Sequence, residues 1–192
     1  MIITLSGNVA SGKSTVGKAL AEKLKLKHYS TGDFMRKIAK EQKVSLYELA
    51  EEAEKSNKID RLIDEKTIKL SKTKDNFLID SRLAWYFIPS AVKIYLYAGP
   101  KVQIKRLKLD KKLNRRKEED LKDEKDMMEK IKLREDSERK RYMKYYGIDY
   151  HEKRFYDYWL NTDKYSIEEC ADKILEYIKK KKLLNWFYCF FN

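Results

Sequence analysis

The sequence contains few residues of the kind that separate domains. Its 192 residues include only two prolines and six glycines, and no Ser/Gly-rich or Pro-rich stretch. Linkers between domains are usually built from such stretches, and a chain of this length commonly forms one domain. We therefore expect a single domain over residues 1–192, without internal repeats.

Cysteine and histidine are equally scarce, with two of each. Cys170 and Cys189 form no CxxC pair, and neither they nor His28 and His151 have the spacing of a metal site. Disulfide scaffolds and zinc sites need more of these residues, closely spaced. The sequence therefore indicates neither a disulfide scaffold nor a zinc site, and it fits a reducing cytoplasm.

Long apolar runs are also missing. The apolar stretch at residues 2–5 ends at Ser6 and Gly7, and no basic segment precedes it. A secretory signal or a membrane-spanning helix needs a longer run. We expect a cytoplasmic protein without a transmembrane segment, and a monomer.

Charge, in contrast, is abundant and unbalanced. Lys and Arg number 44 against 31 Asp and Glu, a net charge of +13. Such an excess favours anionic partners, including nucleotides, nucleic acids and acidic membranes. Outside residues 101–117 the basic residues are interleaved with acidic ones, and no RNA-binding motif occurs. We expect no specific nucleic-acid partner, and a nucleic-acid-binding protein is kept only as a remote alternative.

Short segments rich in branched and aromatic residues alternate with helical patterns along the chain. This alternation predicts an α/β fold with a five-stranded, mainly parallel sheet and helices on both faces. The predicted strands are residues 2–6, 27–30, 76–80, 92–98 and 156–162.

Two capping boxes mark the start of helices. Ser45 and Glu48 form one inside residues 33–72, which we predict to be two or three helices that make a substrate-covering insertion. Ser166 and Glu169 form the other, at the start of a final helix. The residues of that helix predicted to face the sheet are Ile167, Cys170, Ala171, Ile174 and Ile178. The basic and aromatic tail at residues 179–192 receives no function.

The most specific motif is a complete P-loop, Gly7-x-x-x-x-Gly12-Lys13-Ser14, between the first strand and a helix. Its glycines let backbone N–H groups point at a phosphate, and Lys13 reaches the outer phosphates. The Ser14 hydroxyl can bind Mg²⁺. The predicted ATP-binding residues are Gly7, Asn8, Val9, Ala10, Ser11, Gly12, Lys13, Ser14 and Thr15.

Two further segments follow predicted strands and carry polar groups. Asp80 ends the third strand, where a carboxylate can organise the water shell of Mg²⁺, and Arg82 follows it in a position to grip a phosphate. After the second strand, Asp33 can cap a helix and Arg36 is a ligand candidate one turn later.

A longer series of segments resembles the archaeal type of cytidylate kinase. In chain order it consists of GDFMRKIAKEQKVSLYELAEEAEKSNKIDRLIDEK, IDSRLAWY, LREDSERKRYMKYYGID and YDYWLNTDKYSIEE, and the resemblance covers about residues 1–180. It implies a P-loop nucleoside monophosphate kinase that passes the γ-phosphoryl group of ATP to CMP or dCMP with Mg²⁺. It also implies a helical insertion for the nucleoside monophosphate, about 33–72, and a lid, about 106–134.

The resemblance also implies roles for particular residues. Ser30, Gly32, Asp33 and Arg36 would lie near the nucleoside monophosphate, and Arg82 on its phosphate. Asp136 and Arg139 would lie at the far side of that pocket, and Arg106 and Arg134 around the transferred group.

The sequence departs from the family pattern at a few positions. Ser81 replaces the usual glycine before Arg82, and Val9 and Ala10 stand where the family often has proline and glycine. We expect a stiffer P-loop. In the lid, Lys132 and Asp110 stand where arginines are expected, and neither supplies the planar fork of an arginine.

Another small kinase with the same core remains an alternative, such as an adenylate kinase or a kinase of the shikimate type. A kinase that phosphorylates an alcohol needs a base near the hydroxyl, and Asp33 could serve. For the base of the nucleotide, cytosine needs an acceptor such as Asp and donors such as Arg or Ser. Adenine shares the amine and the adjacent acceptor but lacks the carbonyl, so AMP remains an alternative acceptor.

Overall fold

The computed structural model describes residues 1–113 and 123–181. Its five strands are β1 (Ile2–Gly7), β2 (Lys27–Ser30), β3 (Phe77–Asp80), β4 (Val92–Tyr97) and β5 (Tyr158–Asn161). They form one sheet in the order β2-β3-β1-β4-β5, and every pairing is parallel. The predicted five-stranded sheet is confirmed.

The described helices are α1 (Lys13–Lys23), α2 (Thr31–Gln42), α3 (Leu46–Lys55), α4 (Lys58–Thr73), α5 (Ala84–Phe87), α6 (Pro100–Lys112), α7 (Glu124–Tyr146) and α8 (Ile167–Lys180). A short 3₁₀ turn occupies Lys153–Phe155. Part of the predicted lid, residues 114–122, and the tail from residue 182 onward, with Cys189, lie outside the described residues. In the part that is described, no helix is both long and apolar enough to cross a membrane.

Helices cover both faces of the sheet because successive strand residues point to opposite sides. Leu78, Ile94 and Leu96 pack with α1 and α8 on one face. Phe77 and Ile79 belong to a second cluster on the other face, where Leu70 of α4 also packs. Both faces are buried, as is usual for a parallel sheet.

Both predicted capping boxes are present, at Ser45 with Glu48 and at Ser166 with Glu169. The final helix buries Cys170, Ala171, Ile174 and Ile178 as expected. Ile167 differs from the prediction, since it is the first residue of α8, is 47% exposed and lines a cavity instead of the core.

The three helices between β2 and β3 form a small apolar cluster of their own. Ala39 of α2, Leu46 and Leu49 of α3 and Ile59 of α4 are buried in it. These helices stand at the carboxyl ends of the strands, beside the P-loop, and form one wall of the cavity described next.

Candidate active site

A cavity of about 640 Å³ opens at the carboxyl ends of the strands. Open parallel sheets bind ligands at this edge. The P-loop forms its floor through residues 9–15, and α2, α4, α6 and α7 contribute side chains to its walls. Gly7 and Asn8, which complete the motif, are buried.

The P-loop backbone needs glycine at its first position. Gly7 has a φ of 150°, and a side-chain carbon there would stand 2.1 Å from the carbonyl oxygen of Leu96. Ala10 has a φ of 53°, in the left-handed region where most residues are strained. Ala10, which stands where the family often has glycine, therefore lies at a position that glycine would occupy without strain.

The P-loop is also held from outside by side chains that sequence reasoning missed. Asn8 exchanges two hydrogen bonds with the backbone of Ala98, at 2.8 and 2.9 Å. The Gln103 amide donates to the Val9 carbonyl at 2.8 Å, and the Val9 N–H donates to Glu135 at 2.9 Å. These partners are distant in the chain, so no local pattern indicates them.

Lys13 begins α1 and its ammonium group folds back over the loop. It donates to the carbonyl oxygens of Gly7 and Asn8 at 2.9 and 2.7 Å. Burial lowers the pKa of Lys13 well below its usual value, and the nearby Arg82 lowers it further. Asp80 and Glu138 oppose this shift without cancelling it. A bound phosphate would add negative charge beside Lys13 and so favour its charged form.

Arg106 of α6 lines the cavity but is engaged with the backbone around it. Its guanidinium donates to the Ala10 carbonyl at 3.1 Å and to the Thr162 hydroxyl and carbonyl, both at 2.9 Å. It therefore ties the P-loop to the segment after β5. Burial lowers the pKa of Arg106.

Asp80 ends β3 and is held by two neighbours from β2. His28 Nε2 lies 3.0 Å from one carboxylate oxygen, and the Ser30 hydroxyl donates to the other at 3.0 Å. The register explains this, because Ser30 lies beside Asp80 in the parallel pair. His28, to which the sequence assigned no role, thus fixes a predicted metal ligand.

The start of α2 contributes the polar groups predicted from the sequence. Ser30 caps the helix by accepting from the Asp33 N–H at 3.2 Å, and Asp33 forms an ion pair with Arg36 one turn later. Gly32, Asp33 and Arg36 line the cavity. Ser30 reaches the site only through Asp80 and this cap.

Arg82 and Arg134 converge on one buried carboxylate that sequence reasoning missed. Arg82 Nε donates to Glu138 Oε2 at 2.7 Å, and Arg134 Nε donates to Glu138 Oε1 at 3.3 Å. The Tyr150 hydroxyl donates to Glu138 at 2.9 Å. Burial alone would raise the pKa of Glu138, but Arg82 and Arg134 outweigh it and lower the pKa to about 2. The carboxylate thus holds both arginines at the cavity wall.

Arg141 continues this wall one turn further along α7. Its Nε donates to Asp60 of α4 at 2.9 Å and its Nη1 to the Ser137 hydroxyl at 2.6 Å. Burial raises the pKa of Asp60, although Arg141 opposes that shift. Neither Asp60 nor Arg141 was a predicted site residue. The spacing of positions 134, 138 and 141, which places them on one helical face, was the available signal.

The same helical geometry corrects two of the predicted positions. Asp136 and Arg139 point away from the face that carries Glu138, and neither lines the cavity. Asp136 is exposed. Arg139 is 61% exposed and pairs with Asp149 at 2.7 Å. In this fold they lie outside the pocket that the resemblance implied for them.

Asp64, one turn after Asp60, is a further cavity residue that the sequence did not indicate. The Tyr146 hydroxyl of α7 donates a hydrogen bond to its Oδ2. Burial raises the pKa of Asp64 to about 6, an effect that the Tyr146 hydrogen bond opposes and that Asp60 and Glu65 reinforce.

Solved structures with a similar fold include kinases of the shikimate type. Shikimate kinase from Acinetobacter baumannii, in complex with shikimate, has a TM-score of 0.62 and 19% identity, over 95% of this chain and 94% of that one. Shikimate kinase from Aquifex aeolicus has a TM-score of 0.58 and 22% identity, over 95% of this chain and 99% of the other. At these identities the likeness concerns the fold.

Sequence comparison is more specific. The chain is 33% identical to a cytidylate kinase from Archaeoglobus fulgidus over 95% of this chain and 97% of the relative. It is 36% identical to a cytidylate kinase from Sulfolobus acidocaldarius, again over 95% and 97%. The model of the cytidylate kinase-like family matches residues 2–164. The chain therefore belongs to the cytidylate kinase-like family.

Proposed function

We propose that this protein transfers the γ-phosphoryl group of ATP to CMP, and to dCMP, giving the nucleoside diphosphate. The observation that carries the proposal is the convergence of Lys13, Arg82 and Arg134 on one cavity above the P-loop. The relatives named cytidylate kinase over nearly the whole chain support CMP as the acceptor.

The chemistry of this reaction fits the groups in the cavity. The attacking oxygen of a nucleoside monophosphate is already anionic, so no general base is needed. Catalysis then depends on positioning and on neutralising charge on the transferred group. In the proposal Lys13 and Arg134 contact that group, and Arg82 and Arg36 hold the acceptor phosphate. Arg106 also lies near the transferred group, where its hydrogen bonds to Ala10 and Thr162 hold the P-loop in place.

The residues present also fit a magnesium ion. Magnesium is usually bound through one or two protein oxygens together with substrate phosphates. Ser14 and Asp80 both line the cavity and supply a hydroxyl and a carboxylate. In the described ranges, no group of three or more His, Cys, Asp or Glu could hold a metal by itself. Bound there with ATP, Mg²⁺ would neutralise phosphate charge, and His28 and Ser30 would keep Asp80 in place.

A kinase that phosphorylates an alcohol is the second candidate, because the fold resembles shikimate kinases and Asp33 lines the cavity. Asp33 is paired with Arg36, which favours a positioning role over that of a base. Replacing Asp33 by Asn distinguishes the two. It would nearly abolish transfer to an alcohol, whereas a CMP kinase would mainly lose affinity for CMP.

The direct test measures ATP consumption with CMP, dCMP, UMP, AMP and shikimate as separate acceptors. We expect turnover with CMP and dCMP. Chromatography should then show the nucleoside diphosphate as the product. If both CMP and dCMP are inert, the proposed function is wrong.

A further inference from the structure

The wall of the cavity formed by α4 and α7 carries a series of neighbouring charged groups. Glu138 contacts Arg82 and Arg134, next to Lys13. Arg141 follows one turn later and pairs with Asp60. Asp64 follows Asp60 by about one turn, or about 6 Å along the helix axis. If the phosphate of the acceptor nucleotide binds at these arginines, its nucleoside would extend along this wall toward Asp64.

Asp64 differs from the other paired carboxylates of the cavity. Asp33 is paired with Arg36, Asp60 with Arg141 and Glu138 with Arg82. Within residues 1–113 and 123–181, Asp64 forms no ion pair. Its contact is the Tyr146 hydroxyl, which occupies Oδ2 and leaves Oδ1 available to a ligand.

The surroundings of Asp64 contain little positive charge. On its own helix it faces Asp60, which is paired with Arg141, and the exposed Glu65. From α7 it faces the Tyr146 hydroxyl.

The other helices packed near Asp64 add mainly apolar groups. From α5, Tyr86 and Phe87 pack on the ring of Tyr146. From α2 and α3, the side chains that meet α4 include Met35, Ile38, Leu49 and Ala53. Arg36 of α2 lines the same cavity. The state of the Asp64 carboxyl group is therefore set chiefly by burial and by Tyr146.

We propose that Asp64, oriented by Tyr146, recognises the exocyclic group of the pyrimidine in the acceptor nucleotide. The carboxylate accepts a hydrogen bond from the amino group of cytosine, whereas the neutral carboxylic acid donates one to the corresponding carbonyl of uracil. Arg141 Nη2, which has no hydrogen-bond partner among the described residues, is the donor for the ring acceptors. The inference rests on the proposed function and names the residue that selects the base.

This assignment makes base selection depend on pH. When Asp64 is ionised, its carboxylate and the uracil carbonyl are both hydrogen-bond acceptors, so they repel each other and UMP binds poorly. When Asp64 is protonated, it no longer offers the acceptor that the cytosine amino group needs. A pKa of about 6 places the change inside the range in which the enzyme can be assayed. The preference for CMP over UMP should thus fall as the pH falls.

The test is the ratio of kcat/KM for CMP to that for UMP, measured from pH 8 to pH 5.5. The 5′-phosphates of CMP and UMP titrate alike, so their titration cancels in the ratio. The titration of groups that bind ATP affects both reactions equally and cancels as well. We expect the wild-type ratio to decrease by a factor approaching ten per pH unit, because CMP uses the ionised and UMP the neutral form of one carboxyl group and the ratio follows these two populations. A ratio that stays constant over this range overturns the inference.

Variants connect this change to Asp64. Asp64→Asn should lower the ratio at pH 8 by about 10- to 100-fold and remove most of its pH dependence, since an amide can donate or accept. Tyr146→Phe should keep the dependence and shift it to higher pH, because the hydrogen bond that lowers the pKa of Asp64 is lost. Glu129→Gln removes an exposed charge from α7 that does not act on Asp64, and it should leave the ratio at pH 8 unchanged.

The outcomes separate this inference from the proposed function. If CMP is phosphorylated but Asp64→Asn keeps the wild-type ratio and slope, the inference is wrong and the CMP kinase stands. If the wild type phosphorylates neither CMP nor UMP, the proposed function fails and the inference fails with it.

Discussion

Arg82 on the segment after β3 and Glu138 on α7 form a buried ion pair, with Arg82 Nε 2.7 Å from Glu138 Oε2. Fifty-six positions separate them in the chain. The pair fixes the arginine that we assign to the acceptor phosphate against the helix that carries Arg134 and Arg141. An ordered guanidinium loses less entropy when it binds a phosphate than a free one does.

Removing the charge of Glu138 should therefore reduce both stability and activity. In Glu138→Gln, Arg82 and Arg134 keep their charges without the carboxylate between them, and breaking a buried pair of this kind costs about 3 kcal/mol. We expect a lower free energy of unfolding in urea at pH 7 and a higher KM for CMP. Glu129→Gln, an exposed substitution on the same helix, is the control and should change neither.

The same pair predicts acid sensitivity with a defined sign. The pKa of Glu138 is lowered in the folded state from 4.5 to about 2, so its stabilisation is complete above pH 4.5 and is lost as the pH falls toward 2. The wild type should lose stability over that interval by about 3 kcal/mol more than Glu138→Gln does. Parallel profiles for the two proteins between pH 5 and pH 2 would contradict the assigned ion pair.

Arg82→Lys tests whether a planar fork is needed at the acceptor phosphate. Lysine keeps the charge but cannot make two parallel hydrogen bonds to one phosphate. We expect kcat/KM for CMP to fall about 100-fold, mostly through KM, while KM for ATP changes little. Arg154→Lys, at an exposed ion pair with Glu152, should behave like the wild type. Equal losses in KM for ATP and CMP would contradict the division of the cavity between the two nucleotides.

The sheet and the P-loop could be predicted because their signals are local. Each strand is a short run of branched or aromatic residues, and the loop from Gly7 to Ser14 is contiguous. Asp80 and Arg82 follow from the end of β3 because parallel strands place their ligands at that edge.

The contacts across α7 could not be predicted with the same security. Charged residues occur all around this 23-residue helix, so composition does not distinguish its buried face from its exposed one. The face is decided by partners far away in the chain: Arg82 for Glu138 and Asp60 for Arg141. The family resemblance implied Asp136 and Arg139 at the pocket, whereas the structure places Glu138 and Arg141 there.

Ala10 offers a test of strain in the P-loop. A residue with a side chain pays about 1 kcal/mol in the left-handed region, roughly what glycine loses in chain entropy. We expect Ala10→Gly to change the free energy of unfolding by less than about 1 kcal/mol. Ala10→Val, which is β-branched, should lower it by about 2 kcal/mol. Thermal unfolding of the three proteins without nucleotide measures this, and a fully stable Ala10→Val would exclude strain at this position.

His28 should influence magnesium dependence through Asp80. In His28→Leu the carboxylate loses the partner at 3.0 Å, and outer partners of metal ligands commonly change metal affinity by about 10-fold or more. We expect a higher Mg²⁺ concentration for half-maximal activity. His28→Gln, whose amide can reach the same oxygen, should restore most of it. His151→Gln is the control because His151 contacts Asp149 outside the cavity. An unchanged magnesium requirement in His28→Leu would show that Ser30 alone holds Asp80.

Asp64 should oppose stability at neutral pH, in contrast to Glu138. Its pKa is raised from 3.8 to about 6 in the folded state, so the folded protein binds more protons between these values and loses stability as the pH rises through them. The penalty is complete above pH 6. Asp64→Asn should therefore increase the free energy of unfolding at pH 8 by about 1–2 kcal/mol, the full shift reduced for the exposed part of the side chain.

The gain from Asp64→Asn should disappear near pH 3, where the aspartate is neutral in the folded protein and mostly neutral in the unfolded one. Urea unfolding of both proteins at pH 8 and pH 3 measures the difference, with Glu129→Gln as the exposed control. A carboxylate retained in the cavity at such a cost to stability is expected where it serves a ligand. An Asp64→Asn protein that is less stable than the wild type at pH 8 would instead assign this carboxylate to the fold.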